Sequence, residues 1–227
     1  MMNVMSTKDW SQNGSKFLIH GGTGYGKTFS IRTCPRPFII NVVTEGGLLS
    51  LQDTDIPFVS ISSLQELEDT IMELASPENW DKFDTLCIDS LSEIAEVCLA
   101  EYKKTNKDTR KSYVNMADDM MEQIRNLITI PGKNLYCICK QRKLQDEDGK
   151  ILYSPDVPGN SFANKIPYYF DEVFALRILK DPETGEMRRY FQTYPDEKYD
   201  AKDRSGRLDM FEPADISYVL KKIRGES

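Results

Sequence analysis

Residues Gly21, Gly22, Thr23, Gly24, Tyr25, Gly26, Lys27 and Thr28 set a lysine and a hydroxyl directly after a glycine-rich turn. Their spacing fits G-x-x-x-x-G-K-[ST], a loop built to cradle phosphate. At average residue frequencies the pattern arises by chance in a chain of this length about one time in a hundred. The glycines let the backbone curl until successive N–H groups face one anion. A helix starting at Thr28 would add its dipole. In such a loop Lys27 reaches the two outer phosphates of a nucleotide, and the Thr28 hydroxyl holds Mg²⁺.

Phosphate binding alone does not cleave a phosphate bond. Cleavage needs a second metal anchor and a group that orients water. Asp89 suits the first role, because it closes the apolar run Thr85-Leu86-Cys87-Ile88. Glu45 suits the second. It ends a strand in Thr44-Glu45-Gly46-Gly47, and strand ends in such sheets face the ligand crevice. Asp53 and Asp55 are rivals that lack a strand-end position. Gln141 is expected to end a later strand and to sense the outer phosphate through its amide. Lys202 and Arg204 put two cations on a turn near the C-terminus.

These side chains need a scaffold, and the hydropathy pattern supplies one. Lys16-Phe17-Leu18-Ile19 reads as a buried strand leading into the loop. Pro37 to Val43, Phe58 to Ile61, Thr85 to Ile88 and Asn134 to Cys139 read as further strands. Between them lie helical faces: Leu64, Leu67, Ile71 and Leu74 behind a Ser63–Glu66 capping box; Leu91, Ile94, Cys98 and Tyr102; and Met116, Met120, Ile124 and Leu127. This alternation predicts an α/β fold of three layers around a mostly parallel sheet. Asp171 to Leu179 and Arg188 to Thr193 read as a C-terminal antiparallel hairpin, and Ala214 to Ile223 as a closing helix. Gln141 to Asn164 is polar, with turn signals at Asp148-Gly149 and Pro158-Gly159, and reads as a loop. One domain over residues 1–227 is expected.

The composition is that of a soluble globule, with 40% hydrophobic and 29% charged residues. No apolar run approaches the roughly 18 residues of a membrane span, and Met1 to Asn13 lacks the apolar core of a signal peptide. The five cysteines form no C-x-x-C pair, so they read as thiols of a reducing cytoplasm. His20 is the single histidine and reads as structural. A net charge of −7 argues against a dominant, undirected affinity for nucleic acid. Any such contact needs a local basic segment, and Lys103, Lys104, Lys107, Arg110 and Lys111 form one.

Together these residues resemble the RecA-type core ATPases, a family of P-loop NTPases. The likeness rests on Gly21 to Thr28, Glu45, Asp89-Ser90 (the Walker B aspartate and its neighbour) and Lys140-Gln141. It is closest to short bacteriophage-encoded members, through Thr44 to Leu48 (TEGGL), Pro158-Gly159, Phe170 to Val173 (FDEV) and Ala201 to Gly206 (AKDRSG). The resemblance implies ATP and Mg²⁺ as ligands and hydrolysis of ATP to ADP and phosphate. It implies Lys202 and Arg204 as residues that complete a neighbour's site in a homo-oligomer. It also implies two DNA-binding segments. One is the basic connector above. The other follows Lys140 and carries Arg142 and Lys143, with Tyr153 and Phe162 available to stack on bases.

The reading is a phage-type recombination or annealing ATPase that acts on single-stranded DNA, with a single-strand-binding protein as a further partner, in the cytoplasm of a host cell. Departures from the family are the lack of a separate oligomerisation domain, the acidic charge, and Lys140 where a sensor asparagine is usual. The alternatives are a regulatory ATPase that switches a protein partner, and a small-molecule kinase. The latter lacks the arginine-rich lid such kinases carry.

Overall fold

The computed structural model describes residues 13–145 and 147–226. The leader reading on Met1 to Asn13 therefore falls, except for Asn13, outside the described residues. In chain order the strands are β1 (Lys16–Gly21), β2 (Pro37–Val42), β3 (Phe58–Ile61), β4 (Thr85–Asp89), β5 (Asn134–Gln145), β6 (Ile151–Asp156), β7 (Glu172–Lys180), β8 (Met187–Gln192), β9 (Lys202–Asp203) and β10 (Phe211–Pro213). The α-helices are α1 (Leu64–Leu74), α2 (Pro77–Trp80), α3 (Leu91–Thr105), α4 (Thr109–Ile128), α5 (Asn160–Tyr169) and α6 (Ile216–Arg224).

The sheet runs β10-β8-β7-β1-β5-β4-β2-β3. From β7 to β3 neighbouring strands are parallel. β8, β9 and β10 add antiparallel pairings at the C-terminal end of the chain. The expected α/β class is the observed one.

The central parallel strands are covered on both faces, so their buried apolar residues alternate between two cores. Leu18, Ile40, Leu86, Ile88, Leu135 and Cys137 pack with α1, α3, α4 and α5 on one side. Phe17, Ile19, Ile39, Cys87, Tyr136 and Ile138 pack with the Phe29–Thr33 segment and α6 on the other. All five cysteines are buried free thiols, as the pattern predicts.

Three local readings are corrected. The segment after Thr28 is one short 3₁₀ stretch, Phe29–Thr33, and not an extended helix. Pro35 and Pro37 follow immediately, and proline cannot continue a helical ladder. The strand read as Asn134 to Cys139 continues to Gln145, so Gln141 lies within β5 and faces Pro155 of β6. The polar segment read as a loop is instead the β5–β6 hairpin followed by α5. Lys140 to Lys143 of β5 are polar in succession and Ile151 to Tyr153 of β6 are apolar or aromatic in succession, so neither strand shows a period-2 signal. Phe162 is 2% exposed inside the first core and is not available to a base. Tyr153 already stacks on Tyr199, with ring centroids 4.8 Å apart.

Candidate functional site

The C-terminal ends of β1, β2, β4 and β5 converge on one edge of the sheet. There they border a cleft of about 520 Å³, lined among others by Gly24, Lys27, Thr28, Glu45, Asp89 and Lys140. The loop over Gly21–Thr28 leaves β1 and rests on Tyr136. The Tyr136 hydroxyl lies 2.6 Å from Ser30 Oγ, and Ser30 Oγ donates to the Lys27 carbonyl at 2.7 Å. Gly26 holds φ +99°, a conformation that favours glycine.

Lys27 folds over its own loop, with Nζ donating to the Gly21 carbonyl at 2.8 Å and the Gly22 carbonyl at 3.2 Å. Burial lowers its pKa, and the nearby Asp89 and Glu45 oppose that drop. Thr28 Oγ1 donates to Asp89 Oδ2 at 2.7 Å. Asp89 is 2% exposed. Burial pushes its carboxyl up to about 6; the Thr28 hydrogen bond opposes this, and the charge of Glu45 adds to it.

Glu45 reaches the same space from the turn after β2. Ser90 Oγ donates to Glu45 Oε1 at 2.7 Å and also caps α3 by accepting from the Glu93 N–H. Glu93 in turn accepts from Thr44 Oγ1 at 2.8 Å and pairs with Lys140 Nζ at 2.6 Å. The β2 turn, the start of α3 and the end of the buried part of β5 are thereby tied together around Glu45.

Gly47 closes the cleft from above. A Cβ there would lie 2.6 Å from Thr28 Oγ1 and 3.2 Å from Asp89 Oδ2, so only glycine leaves the space over that hydroxyl–carboxylate pair open. Among the described residues no group of three or more His, Cys, Asp or Glu is placed to hold a metal ion. The cradle under Gly47 therefore fits a hard cation only if phosphate and water complete its oxygen shell, as Mg²⁺ prefers.

The cleft thus brings together Gly21 to Thr28, Glu45 and Asp89. Other expected residues lie elsewhere. Gln141 is not among the residues lining the cleft, and its Oε1 is buried without a hydrogen-bond partner. His20, fully buried before the loop, bonds the Asp200 carbonyl through Nε2 at 2.8 Å, and burial pushes its pKa down to about 4. Asp53 pairs with Arg32 at 2.7 Å.

Lys202 and Arg204 sit by the start of β7, at the opposite end of the strands from the cleft. Their side chains bond the Pro167 carbonyl at 2.6 Å and the Asp171 carboxylate at 2.8 Å. Lys103 and Lys104 lie in the last turn of α3, Lys107 in a three-residue connector, and Arg110 and Lys111 in the first turn of α4. All five are exposed. Arg142 bonds Ser154, Asn160 and Asn164 across the β5–β6 hairpin and α5, whereas Lys143 is exposed on that hairpin.

Residues 13–205 match the protein family described as AAA domain. The chain belongs to that family. This AAA domain is accordingly a P-loop domain of ATPase type. No curated protein matches it. Among solved structures it is similar to the KaiC-like protein PH0186 from the hyperthermophilic archaeon Pyrococcus horikoshii OT3. That likeness has 13% identity and a TM-score of 0.46, and covers 79% of this chain and 77% of the other. No helix among the described residues is long and apolar enough to cross a membrane.

Sequence reasoning gave Gly47 no role and missed Glu93 and Arg189. Arg189 of β8 also lines the cleft, with Nε donating to the Tyr25 carbonyl at 2.8 Å. Nothing in its local sequence, Met187-Arg188-Arg189-Tyr190, marks one arginine over the other.

Proposed function

We propose that this AAA domain binds ATP with Mg²⁺ in the cleft, hydrolyses it, and uses the cycle on single-stranded DNA in recombination or annealing. The observation that carries the hydrolytic reading is the meeting of two hydrogen-bonded pairs, Thr28 with Asp89 and Ser90 with Glu45, over one phosphate loop. Gly21 to Thr28 hold the phosphates, and Lys27 leaves the Gly21 and Gly22 carbonyls for the outer phosphate oxygens. Thr28 and Asp89 are the oxygens that would hold Mg²⁺, which supplies charge neutralisation on the phosphates when bound. Ser90 occupies one oxygen of Glu45 and leaves the other to orient water and take its proton.

Two features support the DNA reading. The exposed cations Arg110 and Lys111 stand at the N-terminus of α4, where the helix dipole disfavours positive charge, so they do not serve helix stability. The β5–β6 hairpin, with exposed Lys143, continues directly from the strand that carries Lys140 into the cleft. A homo-oligomer in which Lys202 and Arg204 meet a neighbour's nucleotide, and a single-strand-binding protein as partner, belong to the same reading.

The second reading, a regulatory ATPase that switches a protein partner, is favoured by Phe162 and Tyr153. One is buried and the other is stacked on Tyr199, which leaves the hairpin region short of free aromatic platforms. Steady-state ATP hydrolysis with and without single-stranded DNA at low salt, with Glu45→Gln as control, separates the two. Stimulation that the variant lacks supports the DNA role. Turnover indifferent to DNA supports the switch.

A further inference from the structure

Beyond the phosphate cleft lies a second hollow of about 460 Å³, lined among others by Phe29, Ile178, Met187, Pro213 and Asp215. Phe29 and Arg189 line both spaces. Arg189 lies against the loop backbone, because a Cβ on Gly26 would stand 2.5 Å from its Nε. Its guanidinium carbon is 4.8 Å from the Phe29 ring centroid, and that of Arg32 is 4.0 Å from the same ring. The neighbouring Arg188 pairs with Asp181 and Glu186, but among the described residues no carboxylate pairs with Arg189.

We propose that this hollow takes the nucleoside half of the nucleotide, with the plane of Arg189 as the surface on which the heteroaromatic base stacks. The inference rests on the nucleotide reading above. Its direction comes from the order of residues along the cleft. Glu45, after β2, and Asp89, of β4, stand on one side of β1 in the sheet, and Arg189 of β8 stands on the other, where it and Phe29 line both the cleft and the hollow. A phosphate chain that begins beside Glu45 therefore delivers its nucleoside past Phe29. The chemistry there suits a flat, weakly polar ring: Ile178, Met187 and Pro213 are apolar, and an arginine face stacks on aromatic rings. Arg189 keeps its Nε on the Tyr25 carbonyl while doing so, which holds the guanidinium edge against the loop.

The test is isothermal titration calorimetry of the full chain with Mg²⁺, using ATP and inorganic tripolyphosphate as separate probes. The proteins are wild type, Arg189→Ala, Arg189→Lys, Met187→Trp and Lys27→Ala. Met187 is 64% exposed, so its substitution fills the hollow without disturbing a core. Arg189→Ala and Met187→Trp are expected to weaken ATP by roughly tenfold and tripolyphosphate by much less. Arg189→Lys, which keeps the charge and loses the plane, is expected to behave like Arg189→Ala.

Equal weakening of both probes would make Arg189 a phosphate ligand and overturn the proposal. So would ATP affinity unchanged in Arg189→Ala and Met187→Trp, or wild-type protein that binds ATP no more tightly than tripolyphosphate. Undiminished binding of both probes by Lys27→Ala would instead sink the nucleotide reading itself.

Discussion

Asp89 and Glu45 do different work although both are carboxylates on one cleft. Asp89 is buried and bonded to Thr28, while Glu45 is half-buried and held through one oxygen by Ser90. Glu45→Gln keeps the shape and the bond from Ser90 but cannot take a proton. It is expected to bind ATP as wild type does and to lose turnover by roughly 100-fold or more, read as phosphate release. Asp89 gives a pH signature. Its folded pKa, about 6, lies above the ordinary 3.8, so its contribution to stability is full below about pH 3.8 and lost as pH rises through about 6. In nucleotide-free protein Asp89→Asn removes that loss, worth at most about 3 kcal/mol. Urea titrations at pH 4.5 and 7.5 should show the variant gaining on wild type by a clearly larger margin at the higher pH. A constant difference at both would deny Asp89 this role.

The strands and helices that build the cleft announce themselves in sequence wherever burial is one-sided or complete. β3 and α1 fall on the residues their patterns predict, and β2 and β4 within one residue. The β5–β6 hairpin escapes notice because neither of its strands alternates polar with apolar residues, and its order rests on contacts such as Arg142 with Ser154 across the strands and with Asn164 of α5. Of the candidate site, Gly21 to Thr28, Asp89 and Glu45 are legible because a spacing or a strand end marks them. Gly47 and Arg189 are not, because their parts depend on contacts with residues 42 and 163 positions away, Asp89 and Gly26. Phe162 shows the reverse error, an aromatic in a polar stretch that is core. Phe162→Ala is expected to cost about 3–5 kcal/mol in urea unfolding through the cavity it leaves. If it instead weakens single-stranded DNA binding at unchanged stability, its assignment to the core fails.

Taken whole, the molecule puts Lys27 by the cleft and Lys202 with Arg204 by the start of β7, at opposite ends of the central strands. A residue that completes a neighbour's site must lie away from its own, and Arg204 does; yet it is also bonded to Asp171 and the Tyr168 carbonyl of its own chain. Mixing Arg204→Ala with Glu45→Gln protein decides between these roles. A shared site should regain activity at intermediate ratios, since one mixed interface holds an intact Glu45 and an intact Arg204. An internal staple should regain none at any ratio.

The β7–β8 pairing, with Ile178 opposite Arg189, also acts as a ruler. Side chains on a strand alternate faces, so a shift of one step would carry Arg189 away from Gly26 and bring Arg188 or Tyr190 round in its place. The tip over residues 181–186 can therefore change its letters more freely than its length. A single-residue deletion there would re-aim the arginine at the cleft mouth and release its bond to the Tyr25 carbonyl, whereas a paired insertion that lengthens both strands equally would leave it in place.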